Sequence, residues 1–242
     1  PVDRKNFHPD MDAIRSSITN RTRMIMVNSP CNPTGAVYTR EEIEEIVSIA
    51  IEHDLWIISD EIYSRLIWNG GEHVSPATIE GGKERTIVIS GWSKTWAMTG
   101  MRVGFLAGPE QAVRAAVKCQ ANSASHIPTF MMEAARVALD CDDHVERFSD
   151  AYRQRRKLMV QGLEDIPGLR IVNPEGAFYL FIDVSGTGMS DVEFADGALK
   201  AGVQLIPASL ITGGEGFIRV SYAASEEDIK EGISRLRSWL LQ

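Results

Sequence analysis

Leu55-Trp56-Ile57-Ile58-Ser59-Asp60-Glu61-Ile62-Tyr63 is a short apolar run that ends on two carboxylates and a tyrosine. Residues 55–59 read as a strand. Upstream, Thr39 to His53 has Glu41 and Glu42 in its first turn. Its apolar residues Ile43, Ile46, Val47, Ala50 and Ile51 recur at helical spacing, so it reads as a helix. Before it, Met24-Ile25-Met26-Val27-Asn28 reads as a buried strand and Pro9-Asp10-Met11-Asp12 as a helix start. Downstream, Thr86–Ser90 and Val103–Ala107 read as strands, followed by helices from about Pro109 to Gln120 and from about Pro128 to Asp140. This alternation argues for an α/β layer around a largely parallel sheet. In such sheets reactive groups gather beyond the carboxyl ends of the strands. Asn28, Asp60 and Ser90 all lie at or just past such ends, which is a first sign that they belong to one site.

From Asp143 to Asp165 the pattern is a long charged helix carrying Arg153, Arg155, Arg156 and Lys157, and Pro167-Gly168 ends it. Strands follow near Arg170–Val172, Phe178–Ile182, Val203–Ile206 and Phe217–Ser221, with helices near Asp191–Ala201 and Glu226–Leu241. This half reads as a smaller α+β domain.

The 242 residues are 44% apolar, enough for a substantial core. With 25 basic against 33 acidic residues the net charge is −8, which argues against a nucleic-acid or anionic-membrane partner. Cys31, Cys119 and Cys141 show no paired spacing and suit a reducing cytoplasm. No apolar run approaches the length of a membrane span, and the start has no signal-peptide pattern. Pro1 either follows a removed initiator methionine or marks a cut.

Four motifs carry chemistry. In Ser90-Gly91-Trp92-Ser93-Lys94 an amine follows a strand among small residues, placed to form a Schiff base with an aldehyde. Arg102, in Thr99-Gly100-Met101-Arg102-Val103-Gly104, offers a fork of donors suited to a phosphate. The plain alternative is a solvated surface lysine and an unrelated arginine. Asn28-Ser29-Pro30-Cys31-Asn32-Pro33-Thr34-Gly35 is a rigid loop that can aim the Asn32 amide, or an ordinary connection. Asp60 is costly at the end of an apolar strand unless paired, and a protonated ring nitrogen would pair with it; a helix cap is the alternative. Arg219, inside Phe217-Ile218-Arg219-Val220-Ser221-Tyr222, calls for a carboxylate ligand or a structural ion pair.

Taken together, Pro30-x-Asn32-Pro33-Thr34-Gly35, Asp60-Glu61-Ile62-Tyr63, Ser93-Lys94-x-x-x-Met98-Thr99-Gly100-x-Arg102-x-Gly104 and Arg219-Val220-Ser221-Tyr222 resemble the class I/II aminotransferases in order and spacing. The resemblance runs nearly the length of the chain. It implies an α/β fold, the pyridoxal-phosphate-dependent transferase fold type I, with residues 1–145 as part of the large cofactor-binding domain. Residues 146–242 would be a linking helix and a small α+β C-terminal domain. It implies pyridoxal 5'-phosphate as cofactor, with Lys94 as Schiff-base lysine and proton carrier and Asp60 on the pyridine nitrogen. Tyr63 and Asn32 would then bind the phenolic oxygen, Arg102 and Ser93 the phosphate, and Arg219 the substrate α-carboxylate, with Asn32 a substrate-binding residue as well. The substrates would be an amino acid and a 2-oxo acid, and the full-length parent a cytoplasmic homodimer.

Departures from the family pattern are also present. Gly91 stands where many relatives have a phosphate-binding serine, and Trp92 is bulkier than usual. Pro207-Ala208-Ser209-Leu210-Ile211-Thr212 replaces a Pro-Gly-x-x-Phe-Gly loop, which bears on substrate preference. The family's N-terminal segment, with its phosphate loop and ring-stacking aromatic, lies ahead of Pro1. The sheet domain is therefore expected to be incomplete, and residues 1–242 alone to hold the cofactor weakly. The same lysine site also serves lyases. Regulator effector domains borrow the fold, and an inactive fragment is a further alternative. No dinucleotide, Walker or hydrolase-elbow motif is present, and His8, His53, His73, His126 and His144 show no metal-ligand spacing. His53 reads as a helix end and the other four as loop or surface.

Overall fold

The computed structural model describes residues 1–241. They form two compact units, Pro1–Pro30 with Ala36–Phe148, and Cys31–Gly35 with the chain from Ser149 on.

In the first unit, α1 (Met11–Ser17) starts where Asp10 accepts from the Ala13 N–H. α2 (Arg40–Glu52) starts at a reciprocal capping box between Thr39 and Glu42. α2 buries Ile43, Ile46, Val47, Ile49 and Ala50, each large aliphatic worth about 1.5–3 kcal/mol. The stripe turns toward Ile49, so Ile51, expected inside, is 46% exposed. β1 (Met24–Asn28), β2 (Trp56–Asp60), β3 (Thr86–Gly91) and β4 (Gly104–Ala107) lie in that order. The first three are parallel and β4 runs antiparallel to β3. β1 is not the buried strand expected from its composition: Met24 and Met26 are 49% and 68% exposed. Among the described residues β1 has β2 alone as neighbour, and burial depends on what lies beside a strand as much as on the strand itself. α3 (Glu110–Ser123) and α4 (Thr129–Ala138) follow.

α5 (Asp142–Leu163) is the long charged helix, and the second unit begins within it. That unit has an antiparallel sheet in the order β5-β6-β8-β7, made of β5 (Arg170–Ile171), β6 (Tyr179–Asp183), β8 (Phe217–Ser221) and β7 (Ile206–Pro207). α6 (Asp191–Lys200) and α7 (Glu226–Leu240) complete it. Phe181 and Phe217 stack at 5.0 Å in its core. β7 starts later than the expected Val203, because the Val203 N–H closes α6 by bonding to the Ala198 carbonyl after Gly202 turns at φ +85°. No helix among the described residues is long and apolar enough to cross a membrane.

Candidate active-site residues in the two units

Parallel pairing sets Asn28 beside Asp60 and Asp60 beside Ile89, so three strands end together. The Asn28 side-chain amide donates to the Asp60 carbonyl at 3.1 Å, and the Ser90 hydroxyl donates to the Glu61 carbonyl at 3.3 Å. The expected grouping of Asn28, Asp60 and Ser90 is what the register produces. Asp60 Oδ1 accepts from the Ile62 N–H at 3.2 Å, a local turn rather than a helix cap. Burial raises the Asp60 pKa above its usual range. The Ile62 N–H works against the rise, and the Glu61 charge adds to it. Among the described residues no lysine, arginine or histidine pairs with Asp60. A half-buried carboxylate without a cation suits a protonated ring nitrogen, so this residue fits the cofactor that the motifs imply.

Glu61 is buried and turns elsewhere. Its Oε1 accepts from Ser59 Oγ at 2.9 Å and Ser75 Oγ at 2.5 Å, and His73 Nε2 lies 3.0 Å from Oε2, off the N–H axis. Burial alone would raise its pKa, but His73, Ser75 and Ser59 outweigh that and hold it below the usual range. His73 lies in a loop, as expected, and is largely buried there, at 13% side-chain exposure. His8, also in a loop, is partly buried against Glu42 at 2.8 Å. Neither pairing has a sequence signal, because a chain excursion brings the partners together.

Lys94 sits in a tight loop closed by Met98 N–H to Trp92 O at 3.3 Å and Ala97 N–H to Lys94 O at 3.2 Å. Its Nζ lies 5.9 Å from the centre of the buried Tyr63 ring. Ser93 precedes it in the same turn. Trp92 packs on Trp96 at 5.8 Å and edge-on to Phe105 at 5.9 Å. Gly91 pairs with Gly104, and a Cβ at Gly91 would lie 2.7 Å from the Val103 carbonyl oxygen. This close approach explains a glycine where a serine is common. Arg102 takes φ +54° after a 3₁₀ turn (Thr99–Met101), and its Nη1 donates to the Thr99 carbonyl at 3.0 Å.

In the second unit, Arg219 Nη1 donates to Asn32 Oδ1 at 3.0 Å, and the guanidinium carbon lies 4.9 Å from the Tyr179 ring centre. The structural ion pair considered for Arg219 is not formed, since no carboxylate among the described residues holds it. The Asn32 loop is clamped where the Gly35 carbonyl accepts from Glu175 N–H and Gly176 N–H, both at 2.8 Å. Gly35 is at φ +74°, and a Cβ there would collide with Pro174 Cβ. The Ser29-Pro30 and Asn32-Pro33 peptides are cis. Asp191 accepts from the Ser209 N–H at 2.8 Å and holds the start of the divergent loop.

A family model described as aminotransferase class I and II matches residues 1–236. The chain belongs to that family. It is similar to an aspartate aminotransferase of Pyrococcus abyssi, 40% identical over 239 residues, which cover 97% of this chain and 61% of the relative. An aromatic-amino-acid aminotransferase of Thermococcus litoralis is 41% identical over 239 residues, covering 97% of this chain and 61% of the relative. Among solved structures, an aromatic aminotransferase from Pyrococcus horikoshii superposes with a TM-score of 0.95 at 40% identity, covering 100% of this chain and 66% of that one. The chain spans about three-fifths of the length of the curated relatives it matches.

Proposed function

We propose that this protein transfers an amino group from an L-amino acid to a 2-oxo acid, with pyridoxal 5'-phosphate held through Lys94. The observation that carries the reading is Asp60, a half-buried carboxylate at the end of a parallel strand with no cation paired to it among the described residues. When bound, the cofactor supplies an aldehyde for amines and a ring that accepts electrons from the substrate Cα. Asp60 holds the proton on the ring nitrogen, and Tyr63 and Asn32 bind the phenolic oxygen. Arg102 and Ser93 hold the phosphate. Lys94 Nζ anchors the group and then carries the proton taken from the substrate Cα. Arg219 offers a planar fork to the substrate α-carboxylate. The assembly proposed is a homodimer acting in the cytoplasm.

The test loads the protein with pyridoxal 5'-phosphate, traps it with borohydride and maps the label, then assays a panel of amino acids with 2-oxoglutarate. A label on the Lys94 peptide and amino transfer support the reading. A label on another lysine, or elimination without transfer, overturns it.

A further inference from the structure

Arg219 and Tyr179 are diagonal neighbours on one face of the second-unit sheet. Arg219 is registered with Phe181, and Tyr179 with Ser221. Residues two apart on a strand point to the same side, so the tyrosine ring and the guanidinium meet across the β6–β8 pair. The distance, 4.9 Å from guanidinium carbon to ring centre, is that of a cation over an aromatic face. Tyr179 is itself fixed: it is 7% exposed and packs against Phe178 at 4.8 Å.

The second hold on Arg219 is directional. Asn32 Oδ1 takes a hydrogen from Nη1. A guanidinium presents two forks, and binding Nη1 to the amide leaves the Nε–Nη2 side, which bonds to no group among the described residues. The guanidinium is thus held at two places, over the ring and at the amide.

We propose that Tyr179 is a positioning residue for Arg219, holding the guanidinium plane so that the Nε–Nη2 fork is presented to a carboxylate. The idea rests on the reading of Arg219 as the carboxylate receptor. The ring face, not the hydroxyl, does the holding, so phenylalanine should substitute for Tyr179 and an aliphatic side chain should not. A side chain stacked in this way loses little freedom when it binds, which favours affinity.

The experiment records Arg Nε–H signals of ¹⁵N-labelled full chain, with Arg219 assigned by its loss in Arg219→Lys, and titrates propionate as the carboxylate probe. The Arg219 Nε–H should be shifted upfield by the ring and should move on adding propionate. Tyr179→Phe should keep both behaviours. Tyr179→Leu should lose the upfield shift and bind propionate roughly threefold to thirtyfold more weakly. The absence of an upfield shift in the unmodified chain overturns the stacking without any variant, so a poorly folding Tyr179→Leu does not shield the idea. Equal propionate affinity in all three proteins overturns the positioning role alone. An Arg219 that senses the ring but ignores propionate overturns the receptor reading, and the positioning role with it.

Discussion

Asp60 and Glu61 are consecutive carboxylates driven in opposite directions by the fold. Asp60 is pushed up by burial with one backbone donor opposing the rise, whereas Glu61, the more buried, is held down by His73 and two serine hydroxyls. At the end of β2 the chain thus presents one carboxylate in need of a cation beside one already satisfied.

Asp60 should cost the fold stability at neutral pH. A group whose folded pKa is raised contributes stability below its unfolded pKa and loses it as pH rises through the folded value. Ionisation above the ordinary value of 3.8 is therefore unfavourable in the folded state. Asp60→Asn keeps an oxygen for the Ile62 N–H and should raise the Tm of the cofactor-free protein at pH 7 by about 1–3 °C. The gain should shrink toward pH 4. Thermal melts at both pH values test this, and a lower Tm for the variant at pH 7 refutes it.

Glu61→Gln should behave in the opposite way. A depressed carboxyl contributes stability above its unfolded pKa, here 4.5, and loses it as pH falls through the folded value. The variant should be less stable than the parent at pH 7, and the two should converge as pH drops below 4.5. Melting curves across that range decide the matter, and a constant offset would mean that the charge is not involved.

Lys94→Ala should remove both the borohydride-trapped label and amino transfer, with a rate loss of roughly a thousandfold or more, because the proposed anchor and proton carrier would go together. Single-turnover kinetics with the loaded enzyme measure the loss. Transfer within tenfold of the parent would assign the proton to another group.

For Arg219→Ala, kcat/KM for α-amino acids should fall roughly a hundredfold or more, since the proposed bidentate carboxylate contact would be lost. Arg219→Lys should recover only part of this, because an ammonium lacks the planar fork. Steady-state kinetics on both variants provide the check, and parent-like values would place the carboxylate elsewhere.

Local chemistry made much of this molecule readable from sequence. β1 is Met24–Asn28 as its apolar run suggests, and α2 begins at the Thr39 cap and ends beside His53. The positions of Asp60, Lys94 and Arg219 relative to strands were legible for the same reason: periodicity, caps and turns act within a few residues. Tertiary structure alone decided that β4 runs antiparallel, because pairing direction depends on the neighbour that a strand meets. It also left Met24 and Met26 exposed and brought His73 to Glu61. The Arg219 contacts needed it most. Asn32 is 187 residues away in the chain, and Tyr179 meets the guanidinium through the β6–β8 register. No local propensity encodes such contacts, because they arise when separate elements bury their faces together and distant backbones fall into one register.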